Sequence, residues 1–151
     1  RAEILARAGQ SDTQIIYGGA SYAVDFNGST SGGAIYNFKT TQADTQVAIF
    51  FSAECGVDGA TNKTVDVDIV VDPAGPTPPY TLIPTAGNDI LCSGNGTTTA
   101  AYPAYDIDGR VRVTVVAHAK IAPKGTHTVE VIMNGKSNLS RLHDVSLVFM
   151  R

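Results

Sequence analysis

Lys63-Thr-Val-Asp-Val-Asp-Ile-Val-Val71 decides the fold class. Val65, Val67, Ile69 and Val71 fall on one side of an extended chain, with Thr64, Asp66 and Asp68 on the other. Side chains of a strand alternate between faces, so this spacing predicts a half-buried β-strand. Asp72-Pro73-Ala74-Gly75-Pro76-Thr77-Pro78-Pro79 ends it, because proline cannot donate to a sheet ladder.

The same period of two recurs on both sides. Upstream, Thr13–Tyr17 reads as a short strand, and Tyr22, Val24 and Phe26 alternate with Ala23 and Asp25. After the turn-rich Asn27–Gly33, a third strand begins at Ile35. Val47–Phe51 is a continuous apolar run of strand length. Downstream, Tyr80–Ile83 reads as an edge strand and Ile90–Cys92 as another. Arg110–Ile121 places Val111, Val113, Val115 and Ala117 inward, with Arg110, Arg112, Thr114 and His118 outward. Thr126–Met133 sets Val129, Val131 and Met133 against Thr128 and Glu130. Asn134-Gly135 is a strong turn signal, and Val145–Met150 is the last strand.

Eight to ten short strands between turn residues predict an all-β, two-sheet β-sandwich of the jelly-roll type with Greek-key connections. Composition agrees. The 151 residues include 15 glycines and 7 prolines, and only 17% are charged. This length suits one domain with a full core. A net charge of −3 and the lack of a basic run give nucleic-acid binding no electrostatic support. No apolar run approaches the ~20 residues of a membrane-spanning helix.

Residues 1–10, Arg-Ala-Glu-Ile-Leu-Ala-Arg-Ala-Gly-Gln, differ from the rest. Their composition favours a short helix ended by Gly9. A helix this short is marginal alone. The segment therefore packs on the domain, docks on a neighbour or serves as a linker. The sharper expectation is an N-terminal arm, helical or extended, over residues 1–12, docked through Ile4 and Leu5, with the sandwich over 13–151. The sequence opens at Arg1 rather than Met, which leaves room for a removed leader or preceding domain without deciding it.

Cys55 and Cys92 fit one disulfide, the alternative being two buried thiols. A bridge would close a loop of roughly forty residues and stabilise by ~3–4 kcal/mol in the chain-entropy treatment. It would also place the protein in an oxidising compartment, on a cell or virion surface or outside the cell. Sequons at Asn27, Asn62, Asn95 and Asn138 become glycosylation acceptors only in a eukaryotic host.

Catalysis needs converging groups. The histidines are His118, His127 and His143, and no G-x-S-x-G elbow is present. Gly28-Ser29-Thr30-Ser31-Gly32 has threonine at the nucleophile position. His118 and His127 fall on alternating strands and read as strand-surface or lightly buried side chains. Asp66 and Asp68, two apart on one face, read as a solvated acidic surface rather than a glycosidase pair. No catalytic residue is assigned. Asp106 and Asp108, in Asp106-Ile107-Asp108-Gly109, are candidate ligands for a structural calcium ion, although the rest of an EF-hand loop is missing. Tyr80, Tyr102 and Tyr105, in loops rich in Pro and Gly, are candidates for stacking on a sugar or anchoring a partner. The alternative is packing against the prolines.

Val145-Ser146-Leu147-Val148-Phe149-Met150 is apolar on both sides. Such a strand needs cover on both faces. One face belongs to the core, and the other to a neighbouring subunit or to the rest of the same domain. Val145, Leu147, Val148 and Phe149 join Ile4 and Leu5 as candidate assembly residues.

Gly125-Thr126-His127-Thr128-Val129-Glu130-Val131, then Asn134-Gly135, then Val145–Phe149 resembles the closing strands of C1q/TNF-like trimeric jelly-roll surface proteins, including those of bacteria and phages. Phe50–Cys55 and Leu91–Gly94 resemble a cysteine-paired subset. The aromatic pattern of the animal members is absent. The resemblance implies a homotrimer with a structural or binding role and supplies no ligand site. The expected function is a non-enzymatic surface subunit, extracellular or on a virion. It would self-assemble as a trimer or fibre in structural or adhesive roles, with a glycan or surface receptor as a further partner. The alternative is a carbohydrate-binding module, assisted by calcium.

Overall fold

A computed structural model describes residues 2–11, 14–17, 21–26, 36–57, 64–73, 90–93, 111–135 and 139–151. They form ten strands: β1 (Ile4–Gln10), β2 (Gln14–Tyr17), β3 (Ser21–Ala23), β4 (Tyr36–Thr40), β5 (Thr45–Val57), β6 (Thr64–Val71), β7 (Ile90–Ser93), β8 (Val111–Ile121), β9 (Gly125–Gly135) and β10 (Leu139–Met150). Among the described residues there is no helix.

The strands make two antiparallel sheets. The first runs β1-β10-β5-β8, with β2 also on β10; the second runs β3-β9-β6-β7, with β4 also on β9. When β1 with β2 and β3 with β4 are each counted as one interrupted strand, eight strands remain. They alternate between the sheets in pairs, which is the jelly-roll connection. The protein is thus an all-β jelly-roll sandwich.

The core lies between the sheets. From the first sheet, Val47, Ile49, Phe51, Leu142, Leu147 and Phe149 point inward; Val65, Val67, Ile69, Val129, Val131 and Met133 meet them from the second. Phe38 stacks on Phe149 with ring centroids 4.8 Å apart, and Phe26 meets Phe51 edge-on at 6.1 Å. Cys55 on β5 and Cys92 on β7 form a disulfide, with Cα atoms 6.0 Å apart. It ties the first sheet to the second at one end of the core.

Two expectations change. Residues 4–10 are a strand rather than a helix. The extended option is adopted because β1 pairs with β10 from Ile4↔Met150 to Gln10↔Val145. Ala6 and Ala8 pack against the core, and tertiary pairing overrides the helix propensity of a segment too short to hold a helix alone. Gly9 suits this pairing, since a Cβ there would lie 2.8 Å from the Val145 carbonyl oxygen. The second change concerns Asn134-Gly135, which continues β9 instead of turning. Asn134 pairs with Ser21 and Asp66, and Gly135 with Val65. The Asn134 side chain is held by Ser21 and, at 3.1 Å, donates to Asp68 Oδ2.

Candidate functional site: the outer face of the first sheet

The strand register defines a grid of outward side chains on the first sheet. One row is Met150–Ala48–His118. The next is Arg7–Val148–Phe50–Val116, and a third is Gly9–Ser146–Ser52–Thr114. Four apolar groups therefore sit together in the middle: Val148, Phe50, Val116 and Met150. Val116 remains 44% exposed and Ile4, beside Met150, 58%. An apolar groove of about 430 Å³ lies between Ala2, Ala48, Phe50, His118 and Met150, where the small Ala48 leaves room.

Ion pairs lie at both ends of this band. At one end Arg112 Nη2 is 3.6 Å from Glu54 Oε1 and 3.5 Å from Asp144 Oδ2. At the other, Lys120 is 3.2 Å from Asp44, and Arg151 pairs with Glu3. These pairs are largely exposed, and such pairs contribute little stability. They bring acid and base together at each end.

Of the assembly candidates, Val145, Leu147 and Phe149 are buried in the protein's own core, and Leu5 packs partly against it. Ile4 and Val148 are the outward members. The period of two divides β10 between core and surface, with Val145, Leu147 and Phe149 inward and Val148 and Met150 outward. Sequence reasoning missed Phe50, Ala48 and Val116. Val47–Phe51 read as a buried run, and only its pairing with β10 and β8 shows that Ala48 and Phe50 face outward.

His127 is buried at 3% exposure on the inner side of β9, where alternation alone suggested at most light burial. Its Nδ1 is 2.8 Å from Asp72 Oδ2, and its Nε2 is 3.1 Å from Thr40 Oγ1. Asp72 adopts a left-handed conformation (φ 52°), and its Oδ1 accepts from Thr128 N at 2.8 Å. The threonine, histidine and aspartate follow the order of a hydrolase triad. Thr40, however, is buried, its hydroxyl donates to Pro123 O, and it accepts from Gly125 N. A nucleophile must reach a substrate; this group ties the ends of β4, β6 and β9 together instead. His118 lies on the outer face beside the groove.

The outer face of the second sheet is mostly polar, with Val70 and Ile132 as its outward apolar residues on β6 and β9. Asp66, Asp68, Glu130 and Asn134 are outward on β6 and β9. Asp66 is buried rather than solvated, with Thr64 Oγ1 3.4 Å from its Oδ1. On β3, burial and then the nearby Asp25 carboxylate push the Tyr22 phenol above its ordinary range. Among the described residues, no three His, Cys, Asp or Glu side chains are grouped to hold a metal. The calcium candidates Asp106 and Asp108, the strand expected over 80–83, and Tyr80, Tyr102 and Tyr105 lie outside the described residues.

No family model and no curated protein matches this sequence. Among solved structures, the chain is similar to the VP2 subviral particle of infectious bursal disease virus, at 13% identity and a TM-score of 0.44. That match covers 99% of this chain and 32% of the VP2 chain, so the chain spans about a third of its length. It is also similar to the CBM36-1 domain of a multidomain xylanase from the hindgut metagenome of Trinervitermes trinervoides, at 14% identity, 91% and 96% coverage and a TM-score of 0.30. A third similar structure is the mosquito-larvicidal Cry4Aa toxin of Bacillus thuringiensis, at 14% identity, 94% and 23% coverage and a TM-score of 0.30.

Proposed function

We propose that this chain is a non-enzymatic structural or adhesion subunit, extracellular or on a virion surface, that self-assembles through the outer face of its first sheet. The carrying observation is the contiguous band Val148–Phe50–Val116 with Met150 and the adjoining groove at Ala48. Val116 is exposed and Val148, Phe50 and Met150 are half-buried; contiguous apolar surface left in contact with water marks interaction sites.

The size of the face fits a partner of domain size. β5 has 13 residues, and four adjacent strands span the sheet. At ~3.3 Å per residue and ~4.8 Å between strands, the face measures on the order of 40 by 19 Å, or about 760 Å². A standard protein–protein interface takes about 800 Å² from each partner. The buried Cys55–Cys92 disulfide supports an oxidising location.

Sedimentation equilibrium over a wide concentration range tests this reading. The native chain is expected to self-associate. Val116→Asp is expected to shift it to monomer while far-UV circular dichroism stays unchanged, because an exposed side chain is replaced on one edge strand. A native chain that stays monomeric at every concentration rejects the reading. A glycan array on that monomer would then test the carbohydrate-binding alternative.

A further inference from the structure

Among the described residues, the outer face of the first sheet carries an uncompensated charge of each sign in two separate places. Arg7, exposed on β1, has no carboxylate partner among the described residues, whereas Arg112 and Arg151 are both paired. Arg7 lines a cavity of about 510 Å³ with Gly9, Phe26, Tyr36, Ser146 and Val148. The Tyr36 hydroxyl donates to the Arg7 carbonyl at 2.7 Å, and the Tyr36 ring lies parallel to Phe149 at 6.0 Å. The backbone at Arg7 is therefore anchored from both the β10 side and the β4 side, while its guanidinium has no ion-pair partner among the described residues.

The opposite imbalance lies toward β8. Among the described residues Glu54 and Asp144 share one cation, Arg112, so these three groups carry one surplus negative charge. Its position is built by a backbone irregularity. The register of β10 against β5 shifts between His143 and Ser146, and Asp144 there adopts a left-handed conformation (φ 47°). Bulges bend a strand and re-aim a side chain. Here the bulge holds an exposed carboxylate within 3.5 Å of Arg112 at the end of the apolar band.

We infer that the occupant of this face is a second copy of the chain, docked so that Arg7 of one copy meets the Glu54/Asp144 cluster of the other. This rests on the self-assembly reading above and adds the docking register to it. The apolar band supplies area but little direction. The two charge imbalances supply the direction, because opposite charges across an interface fix register and like charges penalise wrong ones. A guanidinium suits the task, since its planar fork binds carboxylates in pairs of hydrogen bonds. With Arg7 set against the cluster, each surplus charge is compensated by the next copy. The contact joins two different patches, so it either closes reciprocally about a two-fold axis or repeats in a ring or fibre.

A charge swap on the whole chain tests the register by sedimentation equilibrium at low and moderate salt. Arg7→Glu and Glu54→Lys, each alone, are expected to weaken association about tenfold or more at low salt. Glu54→Lys turns the cluster from one surplus negative charge to one surplus positive charge. The double variant Arg7→Glu/Glu54→Lys is then expected to regain association within about threefold of the native chain at the same salt. Circular dichroism of each variant confirms folding. If Val116→Asp gives a monomer but Arg7→Glu associates like the native chain, the register is wrong and the self-assembly reading stands. If both single variants weaken association and the folded double variant does not recover, the pairing is equally overturned. A native chain that never associates removes both proposals.

Discussion

The middle outward positions of β5 and β10 in the first sheet hold Ala48, Phe50, Val148 and Met150. Those of β6 and β9 in the second hold Asp66, Asp68, Glu130 and Asn134, with only Val70 and Ile132 as large apolar residues among them. Both sheets bury their inner faces in the same core, so folding demands nothing that would explain the difference. An antiparallel sheet can keep one face in water when that face is polar, and the second sheet meets this condition. Ser21, Asn134 and Asp68 form a hydrogen-bonded chain across three of its strands. The first sheet has instead an apolar middle with ion pairs at its ends. On the proposed reading the contrast separates residues that serve folding from residues that serve contact, and substitutions on the two sheets can be used to break it.

The largest effect is expected on the inner side of β10. Phe149 is fully buried between Phe38 and Tyr36. Phe149→Ala is expected to destabilise by about 3–5 kcal/mol, through lost transfer energy and a residual cavity. Urea unfolding checks this. Its neighbour Val148 points to the other side of the same strand. A Phe149→Ala loss below about 1 kcal/mol would mean that the division of β10 between core and surface is misplaced.

Next is the bridge between the sheets. Replacing Cys55 and Cys92 together by Ala is expected to cost about 2–5 kcal/mol, read as a lower urea midpoint than that of the native chain. The bridge joins β5 of the apolar-faced sheet to β7 of the polar-faced one. Its loss should therefore lower stability while leaving the mass of the folded species unchanged. A folded double variant that is also monomeric would tie assembly to the bridge and blur the contrast between the faces.

The core was legible in the sequence and the outer face only in part, for a physical reason. Inner positions repeat every second residue, so Val65, Val67, Ile69 and Val71 announced β6, and all four are buried. The outer band is assembled from β10, β5 and β8, which lie far apart in the sequence, and only their register brings Val148, Phe50 and Val116 into one row. Local composition also misled at the ends of strands. Helix-forming residues in 4–10 yielded to pairing with β10, and Asn134-Gly135 stayed in β9 because Asn134 has partners on both neighbouring strands. His127 was expected near the surface; its burial depends on Asp72 and Thr40, 55 and 87 residues away. Arg7 and Asp144 carried no local signal, since an unpaired charge or a bulge becomes visible only when its surroundings are placed.

The smallest effect should come from putting a charge on the other face. Val70 on β6 is an outward apolar residue and the second-sheet counterpart of Val116. It lies directly opposite Glu130, so Val70→Lys would create a cross-strand pair of opposite charge, worth roughly 0.2–1 kcal/mol. That gain offsets much of the valine area lost. Stability is expected to change by less than about 1 kcal/mol in urea, and the sedimenting mass not at all. Val116→Asp also replaces an outward valine with a charge, yet it is expected to dissociate the assembly. If Val70→Lys dissociates it as well, the polar face is part of the interface, and the asymmetry between the sheets does not tell where copies meet. If only Val116→Asp acts, the apolar band is the contact surface, because a charge on an outward strand position is then shown to be harmless in itself.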